Sequence, residues 1–219
     1  MKKLLLLIGL AAFGMNASAQ NESAWNVHVG WNLASENIKG GGVNLSTDSH
    51  SQFQVGFSYS LPLSQNMPLY LSAGLDFTGR GGQTKVDGVK ASDNLYYLQL
   101  PVTVGWHFDL SEWVSIRPEV GVWYAAGLFS NSKVGGEAIK DESGDNYDFF
   151  SEYTDGDGKM KALKTSDFGL RFGVDVALKE HYSIGLGYDL GLMNINKDMF
   201  DSSVKVRNGV FYIRAGYNF

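Results

Sequence analysis

Seven charged residues interrupt stretches of the sequence that are otherwise uncharged and alternate between apolar and small residues. Three of the seven are positive and four are negative, and they are Asp76, Arg117, Glu119, Arg171, Asp175, Asp189 and Arg214. Charges that are brought into a confined interior must pair with one another or stay hydrated. The set therefore predicts either a satisfied polar network or a narrow charged path for small solutes.

The spacing of two of these charges predicts a direct contact between them. If residues 179–181 form a tight turn, Leu178 lies opposite Tyr182 in an antiparallel pair. The same register then places Arg171 directly opposite Asp189, where opposite charges stabilise a sheet. We therefore expect a cross-strand ion pair at this position.

A second group with chemical potential is Ser49-His50-Ser51, which follows Asp48. Nucleophilic catalysis needs a base that is oriented by a third group, together with an oxyanion site. Residues that are adjacent along one loop do not supply that geometry. We therefore expect no catalytic residues and no enzyme, and an enzyme is kept only as a further alternative.

The segment 130–165 is acidic and also contains the aromatic residues Phe149, Phe150 and Tyr153. Its carboxylates are Glu137, Asp141, Glu142, Asp145, Asp148, Glu152, Asp155 and Asp157. Carboxylates are hard ligands, so a weak divalent-cation contact is one reading, but the order of the residues is not that of a calcium loop. We expect no resident metal and no cofactor. The aromatic residues predict either a contact patch for a partner or a loop that folds onto the rim of the fold.

Strict alternation of side chains indicates the elements that position these residues. Eight strands are predicted, at 25–33, 53–61, 69–79, 95–108, 114–129, 166–178, 182–192 and 208–219. In the last of them, Phe211, Ile213 and Tyr217 share an apolar face and Arg214 lies on the other. All seven charges fall on the faces opposite the apolar ones.

The connections between the predicted strands alternate in length. Three are short, at 62–68, 109–113 and 179–181, and four are long and polar, at 34–52, 80–94, 130–165 and 193–207. An up-and-down barrel has this rhythm when its short turns lie at one end and its long loops at the other. The sequence therefore predicts an all-β, eight-stranded antiparallel transmembrane β-barrel with short periplasmic turns and four long extracellular loops.

The face opposite the apolar one distinguishes this barrel from a soluble barrel with an apolar cavity. It is built mainly of glycine and serine, such as Gly56, Ser58 and Ser72, and the strand cores contain no lysine. A sheet face in water normally carries lysine, glutamate and threonine, whereas small residues suit the narrow interior of eight strands. The apolar face is therefore predicted to point outward.

Aromatic residues concentrate near both ends of the predicted strands. Those near the short turns are Trp25, Tyr59, Trp106, Phe108, Tyr182, Tyr217 and Phe219, and those near the long loops are Trp31, Phe53, Phe77, Tyr96 and Phe168. Amphipathic rings settle at lipid headgroups, and two aromatic belts flank the apolar band of membrane barrels. These twelve residues are the predicted lipid-interface set.

Residues 1–19 have the pattern of a signal peptide, and residues 20–219 form one predicted barrel domain. Lys2 and Lys3 precede an apolar run that is too short to span a bilayer, and Ala17-Ser18-Ala19 precedes the expected cut. Removal of this segment leaves 16 basic and 23 acidic side chains, a formal charge of −7. An acidic chain does not favour nucleic acid. With no cysteine, stability must come from burial or from closure of the sheet.

Four stretches resemble the porin-like outer membrane β-barrel families of Bacteroidetes. They are YYLQLPVTVGWHF (96–108), VSIRPEVGVWYAAGL (114–128), DFGLRFGVDVAL (167–178) and YSIGLGYDLGLMNI (182–195). The resemblance implies location in the outer membrane of a Gram-negative cell, and the terminal Phe219 resembles the signal that is read by the outer-membrane assembly machinery. The resemblance does not imply a transported substrate.

The resulting expectation is a non-enzymatic outer-membrane barrel with a structural or surface-interaction role and a largely plugged polar lumen. Its expected partners are membrane lipids, lipopolysaccharide and the assembly machinery. A low-conductance porin is the first alternative, and a lipid-modifying enzyme is the second.

Overall fold

The computed structural model describes residues 24–64, 67–141, 144–155, 158–179, 181–197, 199–200 and 203–219. The predicted signal peptide lies outside the described residues. Within them, the regular structure consists of strands, and no helix is long and apolar enough to cross a membrane.

Fourteen strands make up the described structure. They are β1 (Ala24–Gly40), β2 (Val43–Ser46), β3 (His50–Pro62), β4 (Leu69–Arg80), β5 (Gln83–Val86), β6 (Val89–Trp106), β7 (Phe108–Ser111), β8 (Val114–Val134), β9 (Glu137–Ala138), β10 (Tyr153–Asp155), β11 (Gly158–Met160), β12 (Ser166–Leu178), β13 (Tyr182–Gly191) and β14 (Lys205–Asn218).

Eight of these strands form a closed antiparallel ring in the order β6, β4, β3, β1, β14, β13, β12 and β8. The ring closes because β8 also pairs with β6. The first and last strands pair from Asn26↔Asn218 to Lys39↔Lys205. Closure leaves no strand of the ring with an unpaired edge.

Twelve strands share this sheet, because β2, β5, β7 and β9 are short additions to the ring, and β10 and β11 form a separate hairpin. The predicted strands all lie in the ring, but the short additions are not predicted. The ring strands also run further toward the long connections: β1 ends at Gly40, β6 begins at Val89 and β8 ends at Val134. These extensions are mostly polar and are held by backbone pairing, so alternation in hydropathy gives no sign of them.

The apolar face of the ring points outward, as the sequence predicts. Val29 is 59% exposed, Val122 is 55% exposed and Leu186 is 50% exposed, although each lies in the middle of a strand. The alternate positions point inward and are mostly buried and polar. An apolar outer surface that surrounds a polar interior is the arrangement of a barrel with lipid as its solvent.

Two prolines coincide with gaps in the backbone ladder, as expected from their missing N–H group. Pairing of β4 with β6 is absent between Ala73↔Val102 and Asp76↔Gln99, and Pro101 lies in that gap. Pairing with β8 stops at Gly105↔Glu119 and resumes on β7, and Pro118 lies between. The register is unchanged across both gaps, so the interior faces stay aligned.

Candidate functional site

The interior nearest the short turns contains an ion cluster centred on Arg214 of β14. Its Nη2 donates to Glu119 Oε1 at 2.8 Å, and its Nε donates to Asp175 Oδ1 at 3.1 Å. Thr103 donates its hydroxyl to the other oxygen of Glu119 at 3.0 Å. Four strands of the ring, β14, β8, β12 and β6, therefore meet in one cluster across the interior, and each carboxylate has a charged donor.

A second ion cluster lies at mid-height and is centred on Arg171 of β12. Arg171 pairs directly with Asp189 of β13 in the sheet register. Its Nε and Nη2 donate to Asp189 Oδ1 and Oδ2 at 2.7 and 2.8 Å, so the predicted cross-strand ion pair is present. Its Nη1 reaches across the interior to Asp76 Oδ2 at 3.2 Å. Such a forked, two-oxygen contact is among the stronger protein hydrogen-bond geometries.

His28 of β1 completes the mid-height cluster. Its Nε2 lies 3.0 Å from Asp76 Oδ1, and its Nδ1 lies 3.0 Å from Asn26 Oδ1. Gln99 donates its amide to Asp189 Oδ2 at 2.9 Å. Polar neighbours thus share the carboxylate oxygens with Arg171, as a buried charge requires.

Arg80 is a third interior arginine, and the sequence prediction did not include it. Its Nη1 lies 3.2 Å from Asp167 Oδ2 and its Nη2 lies 3.6 Å from Asp189 Oδ2. Its guanidinium carbon lies 3.9 Å from the ring centre of Trp123, a cation–π contact. Arg80 is fully buried. It follows Asp76 and Thr78 on the same face, so extension of the alternation by two residues would have identified it.

Arg117 is the predicted charge that the structure leaves outside these ion pairs. Among the described residues, no carboxylate oxygen comes within 4.0 Å of its side chain, although Asp175 lies opposite it in the register. Arg117 lines a small polar cavity of about 30 Å³ at the short-turn end, together with Tyr70 and Ser72. The other six predicted charges all make ion pairs within the two clusters.

At the opposite end of the ring, an apolar cluster fills the interior. We call it the mouth cluster, and its residues are Leu95, Tyr97, Trp123, Ala125, Phe149, Phe150, Ala162, Leu163, Ile195 and Val206. Members come from β6, β8 and β14 and from the connections that follow β9, β11 and β13. Phe150 meets Tyr97 edge to face, with ring centres 5.3 Å apart. The cluster closes the end of the interior toward which the long connections project.

Hydrogen bonds hold the long β9–β12 connection inside the mouth. The Asp148 carboxylate accepts from the Ser130 backbone N–H at 2.9 Å and from the Phe150 N–H at 3.1 Å. Ser130 in turn accepts the Phe149 N–H at 2.7 Å. Of the two sequence hypotheses for these aromatic residues, Phe149 and Phe150 follow the one in which the loop folds back, and they go further, because they are buried within the ring.

The acidic residues of this connection do not form a metal centre in the part of the chain that the structure describes. Asp148, one of the eight predicted carboxylates, accepts hydrogen bonds from the backbone of Ser130 in β8 and of Phe150 in its own loop. Likewise, His50 does not meet its neighbours Asp48 and the two serines: its Nε2 lies 2.9 Å from Asn94 Oδ1. Asp48 forms an isolated backbone bridge with Gln83 instead.

The predicted interface aromatics lie in two rows on the outer surface. Toward the short turns, the ring centres of Trp25 and Tyr59 are 4.8 Å apart and those of Tyr217 and Phe219 are 5.0 Å apart. Trp106, Phe108 and Tyr182 belong to the same end. Toward the long connections, the contacts are Phe53–Phe77 and Phe77–Tyr96, each at 5.8 Å, while Trp31 pairs with Phe53 in the register and Phe168 is half exposed.

The sequence model of the family described as "Outer membrane protein beta-barrel domain" matches residues 5–219. Among solved structures, Ail, the attachment invasion locus protein of Yersinia pestis, is 16% identical with a TM-score of 0.41, over 91% of this chain and 100% of Ail. Neisserial surface protein A is 17% identical with a TM-score of 0.49, over 90% and 100%. OprG from Pseudomonas aeruginosa is 14% identical with a TM-score of 0.47, over 90% and 96%. No curated protein matches the sequence.

Proposed function

The chain belongs to the outer membrane protein beta-barrel domain family and is an outer-membrane protein, and from this premise we propose that it is a non-conducting, non-enzymatic barrel with a structural or surface-interaction role. In this proposal the eight ring strands cross the membrane up and down. The four long connections face the cell exterior, and the short turns face the periplasm.

The observation that carries the proposal is the interior filled by side chains. Arg80 is 0% exposed, Arg171 is 1% exposed and Trp123 is 2% exposed, and all three project inward from different strands. Eight strands enclose little more than their own side chains. A solute would have to displace ion pairs and the mouth cluster together, so the interior supports the barrel as a scaffold for its loops.

The outer surface supports the membrane partners of the proposal. Its apolar wall and two aromatic rows fit contact with outer-membrane lipids, lipopolysaccharide among them. Phe219 lies at the last position of that wall, and its backbone N–H donates to Trp25 O at 2.8 Å. We further propose that Phe219 contributes the signal for the assembly machinery. The resemblance of the four stretches supports the proposal that the chain is a Bacteroidetes member of the family.

The test is electrical. Purified protein that has been refolded into detergent is added to a planar bilayer, and we expect no resolvable conductance steps. Heat-dependent mobility in SDS, compared before and after boiling, reports in parallel whether the barrel is closed, because a ring without edges resists unravelling until it is heated. Discrete conductance steps from protein that shows the heat-dependent shift would contradict the plugged interior. They would not contradict the closed barrel.

A low-conductance porin is the alternative that one observation favours. The polar cavity at the short-turn end contains Arg117, which is free of ion pairs among the described residues, beside hydroxyl groups. This cavity would form part of a charged path for small solutes through the interior. A conducting wild type whose current falls in Arg117→Met would support this alternative.

The lipid-modifying enzyme remains the second alternative, and it has its own assay. His50→Ala removes the single imidazole of the Ser-His-Ser sequence. We expect unchanged lipid composition when wild type and variant are compared in cells or in vesicles that contain lipopolysaccharide. A change in acyl chains that depends on His50 would support an enzyme.

A further inference from the structure

Three cations share the outward face where β1 ends and β14 begins. Lys39 lies directly opposite Lys205, and Arg207 lies opposite Asn37 in the preceding row. All three cations are exposed. They have the same parity as Phe211 and Ile213 of the apolar wall, so they continue that wall upward along the same seam.

Their arrangement requires a counter-charge. Like charges directly opposite each other destabilise an antiparallel pair, and here a third cation lies one row away. Within the described residues, none of the three makes an ion pair with a carboxylate. Three cations that lie together with no carboxylate partner among the described residues favour an anionic ligand from outside the chain.

The cations also line a concave surface. Together with Asn37, Gly40 and Ser203 they border an open groove of about 440 Å³. Gly40 has φ of +124°, and a Cβ at this position would lie 2.0 Å from the Ser203 carbonyl oxygen. Glycine therefore allows the end of β1 to approach the β13–β14 connection and form the wall of the groove.

The height of the groove identifies the class of ligand. Arg207 lies four residues beyond Phe211 on the same face of β14. At about 3.3 Å per residue, reduced by the tilt of barrel strands, this places it about 10 Å above the last aromatic of the apolar wall. Long basic side chains reach back toward that boundary. This is the level of lipid headgroups next to an apolar wall.

We propose that the Lys39–Lys205–Arg207 groove binds the phosphate groups of a phosphorylated outer-leaflet lipid, of which the lipid portion of lipopolysaccharide is the expected form. The acyl chains lie along the apolar wall below, and the phosphates occupy the groove. The inference rests on the proposed function, because it needs the long connections to face the cell exterior.

The chain contains a matched control for this seam. Lys85 and Lys90 also face each other directly, in the β5–β6 hairpin, and both are exposed. Lys90 lies six residues from Tyr96, as Lys205 lies six residues from Phe211, but Lys85 and Lys90 do not border the groove of Lys39, Lys205 and Arg207. Removal of this second lysine pair removes two positive charges, against three in the groove, and leaves the proposed groove unaltered.

The experiment measures the affinity of full-length protein, refolded into detergent micelles, for a fluorescent bisphosphorylated lipid A and for its dephosphorylated form. For the triple variant Lys39→Gln/Lys205→Gln/Arg207→Gln we expect at least about tenfold weaker binding of the phosphorylated lipid, because each cation near an anionic headgroup contributes to affinity. For Lys85→Gln/Lys90→Gln we expect less than a twofold change. We expect wild type to bind the dephosphorylated lipid as weakly as the triple variant binds the phosphorylated lipid.

The opposite outcomes are equally specific. Equal affinity of wild type and triple variant, or equal binding of both lipids by wild type, would overturn the phosphate site. Complete displacement by millimolar inorganic phosphate would assign the groove to the free ion and reject the lipid. Heat-dependent SDS mobility is recorded for each sample: its loss in wild type would contradict the proposed barrel, whereas unchanged affinity in a triple variant that shows the shift would reject the lipid site alone.

Discussion

The two ends of the interior are filled by different kinds of side chain. Near the short turns and at mid-height, rigid ring strands supply charges, and the register fixes which charges meet, as in Arg171 opposite Asp189. At the other end, connections between strands supply apolar rings, and Phe149 and Phe150 enter from a loop. In a strand, the odd or even position of a residue decides whether its side chain points inward or outward. In a loop, the position of a side chain depends on the apolar residues against which it can be buried.

Arg80 lies where the two regions meet. It stacks on Trp123 of the mouth cluster and pairs with Asp167 and, more distantly, with Asp189 of the mid-height cluster. A planar guanidinium is suited to both contacts at once, since its face stacks and its edge donates. The polar and apolar regions are therefore continuous through one side chain.

The largest expected effect is in the polar region. Arg171→Met leaves Asp189 and Asp76 without their shared cation in the buried interior, and we expect the free energy of unfolding to fall by about 3–5 kcal/mol. Urea titration in lipid vesicles, followed by tryptophan fluorescence, measures it. Arg117→Met is the matched control, an interior arginine without an ion pair, and we expect its loss to be less than half as large. Equal losses of unfolding free energy in the two variants would mean that stability depends on the position of the arginine in the lumen and not on its ion pairs.

The next effect is in the mouth cluster. Phe149→Ala/Phe150→Ala removes two buried rings from a loop, and we expect the closed loop to lose about 3 kcal/mol relative to its open form. This corresponds to about a hundredfold faster tryptic cleavage between β9 and β12 if cleavage follows the open population. The ring itself should keep its heat-dependent SDS mobility. Phe129→Ala, which truncates an exposed ring on the outer side of β8, should leave cleavage unchanged.

The smallest effect tests the junction between the regions. Arg80→Lys keeps the charge but loses the planar stack on Trp123 and the forked donors, so we expect the free energy of unfolding to fall by about 1–2 kcal/mol. Arg207→Lys, the same exchange at an exposed site, should change it by less than about 0.5 kcal/mol. If Arg80→Lys lowers the free energy of unfolding as much as Arg171→Met does, Arg80 acts mainly as a member of the polar network, as Arg171 does.

Much of the ring could be predicted from the sequence, because strand parity is a local property. Alternation identified the outward wall, and the short turn after Leu178 fixed the Arg171–Asp189 register. The mouth cluster was not predicted, since Tyr97 and Trp123 lie on the face assigned to the lumen and their partners are distant in the chain. Loop contacts such as Phe150 against Tyr97 have no sequence period, and only the folded ring brings them together.

The pairing of β1 with β14 has a consequence for how the molecule folds in time. Asn26 meets Asn218, so the contact that completes the ring joins residues that are almost as far apart in the chain as its length allows. Hairpins such as β12–β13 close short loops, whereas this pairing bears the largest loop-closure entropy, so we expect it to form late. Until this pairing forms, β1 and β14 each have an unpaired edge. We therefore expect this step to be slow and vulnerable to aggregation. Once it has formed, no hairpin has a free edge from which to peel, so the slowest step in assembly also becomes the barrier to disassembly.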